Sequence, residues 1–303
     1  MIMRLEEFAD VVLTALREKV DGIFHACITT VVKNNGIELT GISVTGLDSD
    51  IGLCIYLNGY YKEYSQGHME VSEIVESVCS QIMKHRDDLK GINITGLLRW
   101  DEARHHIYAK LINADKNRES LGMIPHRFFL DLAVVYYIKV SGDAANGDMA
   151  SILVKNEHMQ MWGQSEESLY QIAGINMRKD REPFFMDIEA LLSGIMPEGW
   201  NSIEGCTDIK MYVLTNRNRI FGAVEIMDVD TLQNISEKLA DDFIVLPSSI
   251  HETIIIPSCN APGYLELKSM VCEVNATQVD AEERLSDHIY RYDRSEGRLK
   301  LAA

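Results

Sequence analysis

The chain has 303 residues, 46% of them hydrophobic and 25% charged, a balance that belongs to folded globular proteins and excludes disorder over most of the length. Its 29 basic and 46 acidic residues give a formal charge of −17, which opposes plain electrostatic capture of DNA, RNA or anionic lipid. No run of Lys or Arg interrupts that acidity, and no stretch is apolar for the ~18 residues of a membrane span.

The first predicted element is a helix over residues 3 to 19, where Leu5, Phe8, Ala9, Val12, Leu13 and Leu16 form one apolar stripe. Its acidic, amphipathic character differs from that of a secretory leader, so the cytoplasm is the expected location. Three antiparallel strands follow at 26–32, 37–44 and 51–57, with Asn35-Gly36 supplying the positive φ values of a tight hairpin. Val71, Ile74, Val75, Val78, Cys79, Ile82 and Met83 restore helical period, and the charged 85–88 segment closes it. The opening unit therefore reads α-β-β-β-α.

A link or short strand is expected near 91–96, then strands at 107–112, 129–140 and 149–154. Ser165 before Glu166-Glu167 has the pattern of a helix N-cap. Beyond Asp208 the expectation is a strand at 210–215, a short apolar piece at 220–227, a helix at 230–239, strands at 243–246 and 253–256, a helix at 265–274 and a strand pair near 289–292 and 298–301. Short strands and helices intermixed with tight links predict an α+β fold rather than a parallel Rossmann sheet. Two units are expected: residues 1–95, and a larger mixed sheet with helices at 96–303, with a further division near 180–207 as an alternative.

Cysteines at 27, 54, 79, 206, 259 and 272 show no C-x-x-C spacing, so a zinc knuckle or disulfide framework is not indicated and reduced, mostly buried thiols are expected. The polar clusters each admit two readings. His126, Arg127 and Asp131 around an apolar run offer an acid/base pair and an anion-fixing guanidinium, or else a set of loop and ion-pair contacts. His158 beside Glu157 offers metal-type donors, but the H-E-x-x-H spacing is absent and a capping role accounts for them. Ser249, His251 and Glu252 in a strand-to-strand connection suggest a nucleophile with its base, yet no G-x-S-x-G elbow surrounds the serines, and backbone-bonding side chains explain the same residues. His288 lies in an alternating segment, 286–293, whose tyrosines either stack a ligand or cover a sheet face. No P-loop or G-x-G-x-x-G stands at a strand-to-helix junction.

Five segments, at 33–41, 124–127, 156–163, 246–252 and 285–293, together resemble a family of uncharacterised proteins from anaerobic Gram-positive gut bacteria, catalogued as a domain of unknown function. The resemblance spans nearly the whole chain. It implies a bacterial cytoplasmic protein, often present in several copies and near mobile elements, and it implies no activity. A fainter similarity in element order, around Trp162, Tyr212 and His251, connects the chain to another uncharacterised Gram-positive family.

The expected function is that of a non-catalytic binding protein, a mobile-element or phage-defence accessory acting through an acidic surface and a groove between the two units. One rival is a hydrolase or phosphoryl-transfer enzyme with catalytic candidates His126, Asp131, His251 and Glu252, and ligand-binding candidates Arg127, His158, Ser249 and His288. Another is an acidic mimic of nucleic acid that blocks a DNA-binding protein. No cofactor or metal is expected, a protein is the expected partner, and the sequence sets no oligomeric state.

Overall fold

The computed structural model describes residues 2–20, 23–46, 52–84, 96, 98–141, 150–180, 182–195 and 209–302. The fold is α+β, and it divides into two units, Met1–Leu98 and Arg99–Ala303. The expected strand near 91–96 and part of the alternative boundary at 180–207 lie outside the described residues.

In the first unit, helix α1 (Leu5–Val20) buries Phe8, Ala9, Val12, Leu13, Leu16 and Val20, with Glu6 and Glu7 in its first turn and Arg17 and Lys19 in its last, as the helix dipole favours. It packs with α3 (Val71–Lys84) on an antiparallel sheet in the order β1 (Phe24–Val32), β2 (Glu38–Gly46), β3 (Gly52–Tyr56). Ile42, Val44 and Ile55 meet Leu16, Ile74, Val78 and Ile82 in the core, where each fully buried aliphatic side chain contributes ~1.5–3 kcal/mol. Asn35 and Gly36 have the expected positive φ of 62° and 68°, but Val32 pairs with Glu38, so the hairpin loop is wider than a two-residue turn. Among the described residues of this unit, one α-helix escapes the sequence reading. Helix α2 (Asn58–Ser65) has no fully buried residue, and its Tyr64 stacks on Phe8 at 5.1 Å.

The second unit opens with a short helix, α4 (Trp100–Ala103), then β4 (Ile107–Asn113), α5 (Arg118–Leu121), β5 (His126–Phe129), β6 (Leu132–Ser141), β7 (Ala150–Leu153), α6 (Asn156–Trp162) and α7 (Glu166–Lys179). It continues with β8 (Pro183–Asp187), α8 (Ile188–Ile195), β9 (Tyr212–Asn216), a 3-10 turn at Gly222–Met227, α9 (Val229–Leu239), β10 (Phe243–Leu246) and β11 (Thr253–Pro257). Helix α10 (Tyr264–Thr277) and strands β12 (Tyr290–Asp293) and β13 (Arg298–Leu301) complete it. The strands form two sheets. One runs β4-β6-β5, with β7 on another stretch of β6, and the other runs β13-β12-β10-β11-β9-β8. Neighbours pair antiparallel throughout the described residues, so the single mixed sheet expected for this unit resolves into two antiparallel sheets.

The continuous strand expected at 129–140 is a hairpin in which Phe129 pairs with Leu132 around Leu130-Asp131. Leu130 takes the positive φ, 56°, that glycine or asparagine would normally signal, so the turn leaves no mark in the composition. Helix α7 lies on β4 and is pinned by Asn176, whose buried side-chain amide donates to the Arg104 and Ile107 carbonyls at 2.8 and 2.9 Å. The thiols of the described cysteines are free, but Cys27, Cys259 and Cys272 are exposed and Cys54 and Cys79 half-buried, which corrects the expectation of mostly buried thiols.

Candidate functional site

Asp131 gathers the densest polar set. Its position at the β5–β6 turn presents the carboxylate to the 286–290 segment, where the Ser286 and Tyr290 hydroxyls each donate at 2.6 Å and His288 Nδ1 lies 3.0 Å away. Burial pushes the carboxyl up, and the hydrogen bonds from Ser286, Tyr290 and His288 outweigh it, leaving Asp131 below the ordinary aspartate value. Burial and the Asp131 charge together push the Tyr290 phenol up. The set contains the residue types of a nucleophilic triad without its geometry. A working triad places Asp and Ser on opposite ring nitrogens of the histidine. Here Asp131 and Ser286 both approach Nδ1, and Ser286 donates to the carboxylate rather than to the imidazole. Asn113 and Asn275 reinforce the junction by donating to the Leu285 and Ser286 carbonyls.

Arg127 belongs to a different cluster. It donates to both carboxylate oxygens of Glu166 at 2.9 and 2.8 Å and to Glu167 at 2.7 Å, while its guanidinium lies 3.6 Å from the Tyr170 ring centre. The Tyr136 hydroxyl donates a further hydrogen bond to Glu166. Burial raises the Glu166 carboxyl, and the Arg127 and Tyr136 hydrogen bonds more than offset this, so it sits below the usual glutamate range. These contacts fasten the start of α7, capped by Ser165 as its sequence predicts, to the face of β5 and β6. His126 contacts the Ile124 carbonyl through Nδ1 at 3.0 Å and meets Phe128 edge-on. His158 accepts the Lys155 backbone N–H at 3.1 Å and stacks on Trp162, a cap for α6. Burial, with nearby Lys155, lowers its pKa.

Ser249, His251 and Glu252 do share one open cleft of about 490 Å³, together with Arg219, Phe221 and Glu283. The connection carrying them is clamped on both sides: Ile250 donates to the Glu283 carbonyl at 2.8 Å, and Ala223 to the Ile250 carbonyl at 3.3 Å. Gly222 permits that approach, because a Cβ there would fall 2.1 Å from Thr215 Oγ1 and 2.7 Å from the His251 carbonyl. His251 Nδ1 accepts the Phe221 backbone N–H at 3.3 Å, so Nε2 carries the proton of the neutral ring and lies 3.4 Å from Glu283. Ser249 Oγ accepts the His251 backbone N–H at 3.0 Å, not an imidazole contact, so serine and histidine do not form a nucleophile and base. Burial pushes the Glu252 carboxyl up. Among the described residues no group of three or more His, Cys, Asp or Glu could hold a metal ion.

A family model described as a family of unknown function matches residues 5–294. The chain belongs to that family, DUF5688. No curated protein and no solved structure matches this DUF5688 chain. No helix among its described residues is long and apolar enough to cross a membrane.

A further concavity of this DUF5688 protein, of about 450 Å³, runs along α7. Ala109, Gly174, Met177 and Val224 contribute its apolar lining, and Glu167, Arg178, Glu225 and Asp228 add charged side chains, of which Glu167 is already paired with Arg127 and Asp228 accepts the Thr231 backbone N–H. Apart from Glu167 in the helix-start pattern, these residues carry no local signal, because they come from β4, α7, the 222–227 turn and the cap of α9 and meet only in the fold. Phe221 and Glu283, which complete the His251 cleft, escape a sequence reading for the same reason.

Proposed function

We propose that this protein is a non-catalytic binding protein, an accessory of a mobile element or of the contest between phage and host, acting through its acidic surface on a protein partner inside a bacterial cell. The observation that carries the reading is the use made of the candidate catalytic groups. Asp131 is occupied by three donors, Arg127 by two carboxylates, and His126 and His158 by backbone groups. Such contacts fix the Asp131 carboxylate and the Arg127 guanidinium within the fold, while each of these histidines is held through Nδ1 alone, and this use of Asp131 and Arg127 supports a structural part for them. The charge of −17 favours a cationic partner and speeds its encounter. Crosslinking in the native host followed by identification of captured chains tests the proposal. Reproducible capture of one protein is expected, and turnover of a small molecule with no macromolecule captured would end it.

The enzyme reading keeps one supporting observation, the convergence of His251, Glu252 and Glu283 on a single cleft. It predicts an activity abolished by Glu252→Gln.

A further inference from the structure

We infer that the cleft at His251 binds a small zwitterion, an amino acid whose ammonium meets Glu252 and whose carboxylate meets Arg219. Such binding requires neither a macromolecular partner nor turnover, so it goes beyond both readings above.

Glu252 is the unanswered group of the cleft. Its side chain is half-buried, yet among the described residues its carboxylate accepts no hydrogen bond and faces no cation within ion-pair distance, and it belongs to no group of His, Cys, Asp or Glu able to hold a metal. Its neighbours are engaged. Glu283 meets His251 Nε2 at 3.4 Å, His251 Nδ1 accepts the Phe221 N–H, and Ser249 Oγ accepts the His251 N–H. A carboxylate withdrawn from water without a hydrogen-bond donor of its own calls for one from outside the chain.

Arg219 supplies the opposite charge in the same cleft. It is exposed and takes a left-handed φ of 54°, which glycine or asparagine adopts more readily than arginine. The loop is fixed around it: the Asn216 side chain donates to the Ile220 carbonyl at 2.8 Å and accepts the Ile220 N–H at 3.3 Å, while the Arg219 N–H donates to the Asn216 carbonyl at 3.0 Å. The guanidinium makes no ion pair among the described residues, and its contact is the Phe184 ring at 5.4 Å. Burial and the Glu283 charge raise the Glu252 carboxyl and the Arg219 charge lowers it, so the two groups sense each other while standing too far apart to pair.

That separation selects for a ligand carrying both charges. An amine without a carboxylate meets repulsion from Arg219, and an acid without an amine meets it from Glu252. A zwitterion answers both with charge-assisted hydrogen bonds. Ile220 and Phe221 add apolar wall, and a volume of about 490 Å³ accommodates an amino acid with its side chain.

The test presents the full chain with the common L-α-amino acids and the ω-amino acids from β-alanine to aminohexanoate, and reads binding by saturation-transfer NMR and titration calorimetry. For the tightest zwitterion, the matching amine without its carboxylate and the matching acid without its amine are titrated beside it. Both are expected to bind about tenfold or more weakly, as is the zwitterion itself to Glu252→Gln and Arg219→Gln, with part of the loss restored in Arg219→Lys. Circular dichroism and the urea midpoint establish that each variant is folded. No zwitterion bound at about 10 mM overturns the inference. So does an amine that binds as tightly as its zwitterion, which would make the cleft a cation site, or binding untouched by either variant. Partner capture is read separately, so its failure leaves this site standing, and recovery of the ligand unchanged supports binding without turnover.

Discussion

Replacing Asp131 with alanine removes the acceptor for Ser286, His288 and Tyr290 at once. Ser286 and Tyr290 are essentially excluded from solvent, so their hydroxyls lose a partner without gaining water. Each stranded buried donor costs ~1–3 kcal/mol, and the half-exposed His288 less, because water replaces part of its contact. The expected loss is about 3–5 kcal/mol for the second unit. Tryptophan fluorescence during urea unfolding reports on that unit alone, since Trp100, Trp162 and Trp200 all lie within Arg99–Ala303. The pH dependence has a definite sign. Asp131 is below its ordinary value in the folded state, so its contribution is fully present above the unfolded value of about 3.8 and fades as pH falls through the lower folded value. Asp131→Asn should flatten that acid limb while retaining part of the neutral-pH stability. In a double-mutant cycle with Tyr290→Phe the two residues should couple by ~1 kcal/mol or more. A loss below ~1 kcal/mol for Asp131→Ala, with an unchanged acid limb, would refute the assignment of this cluster as a structural junction.

Gly174→Ala should stabilise the second unit by ~0.5–1 kcal/mol, because helix propensity improves and the added methyl meets nothing, as read by the urea midpoint. Gly222→Ala should act oppositely, losing at least ~2 kcal/mol or distorting the 222–227 turn, since its Cβ would lie 2.1 Å from Thr215 Oγ1; calorimetry and the backbone amide spectrum will detect either. Ala240, with φ of 55° at the end of α9, should gain from glycine, so Ala240→Gly is expected to add ~0.5–1 kcal/mol in chemical denaturation.

The elements most legible in the sequence are those whose burial follows one period. Helix α1 and strands β1 and β2 lie one face on the core, so their apolar residues recur at helical or strand spacing and the chain announces them. Helix α2 was not visible, because Asn58–Ser65 has no buried stripe and is held by Tyr64 on Phe8 and by Tyr61 donating to the Met3 carbonyl, contacts made far along the chain. The turn at Leu130-Asp131 was hidden by a leucine in a glycine-like conformation. Among the polar residues, Arg127 pairs with Glu166 and Glu167 and not with Asp131, the carboxylate nearest to it in sequence. Asp131 reaches Ser286, His288 and Tyr290 instead, a meeting that no local pattern encodes.

That meeting bears on how the molecule is made. The partners of Asp131 follow it by 155 to 159 positions in a chain of 303, so a growing chain carries an unanswered carboxylate through about half of its synthesis. The first unit draws its sheet and core from the opening 98 residues and can settle early. The second waits for its last strands, and during that interval its half-built sheets are the stretch that a chaperone would have most reason to hold.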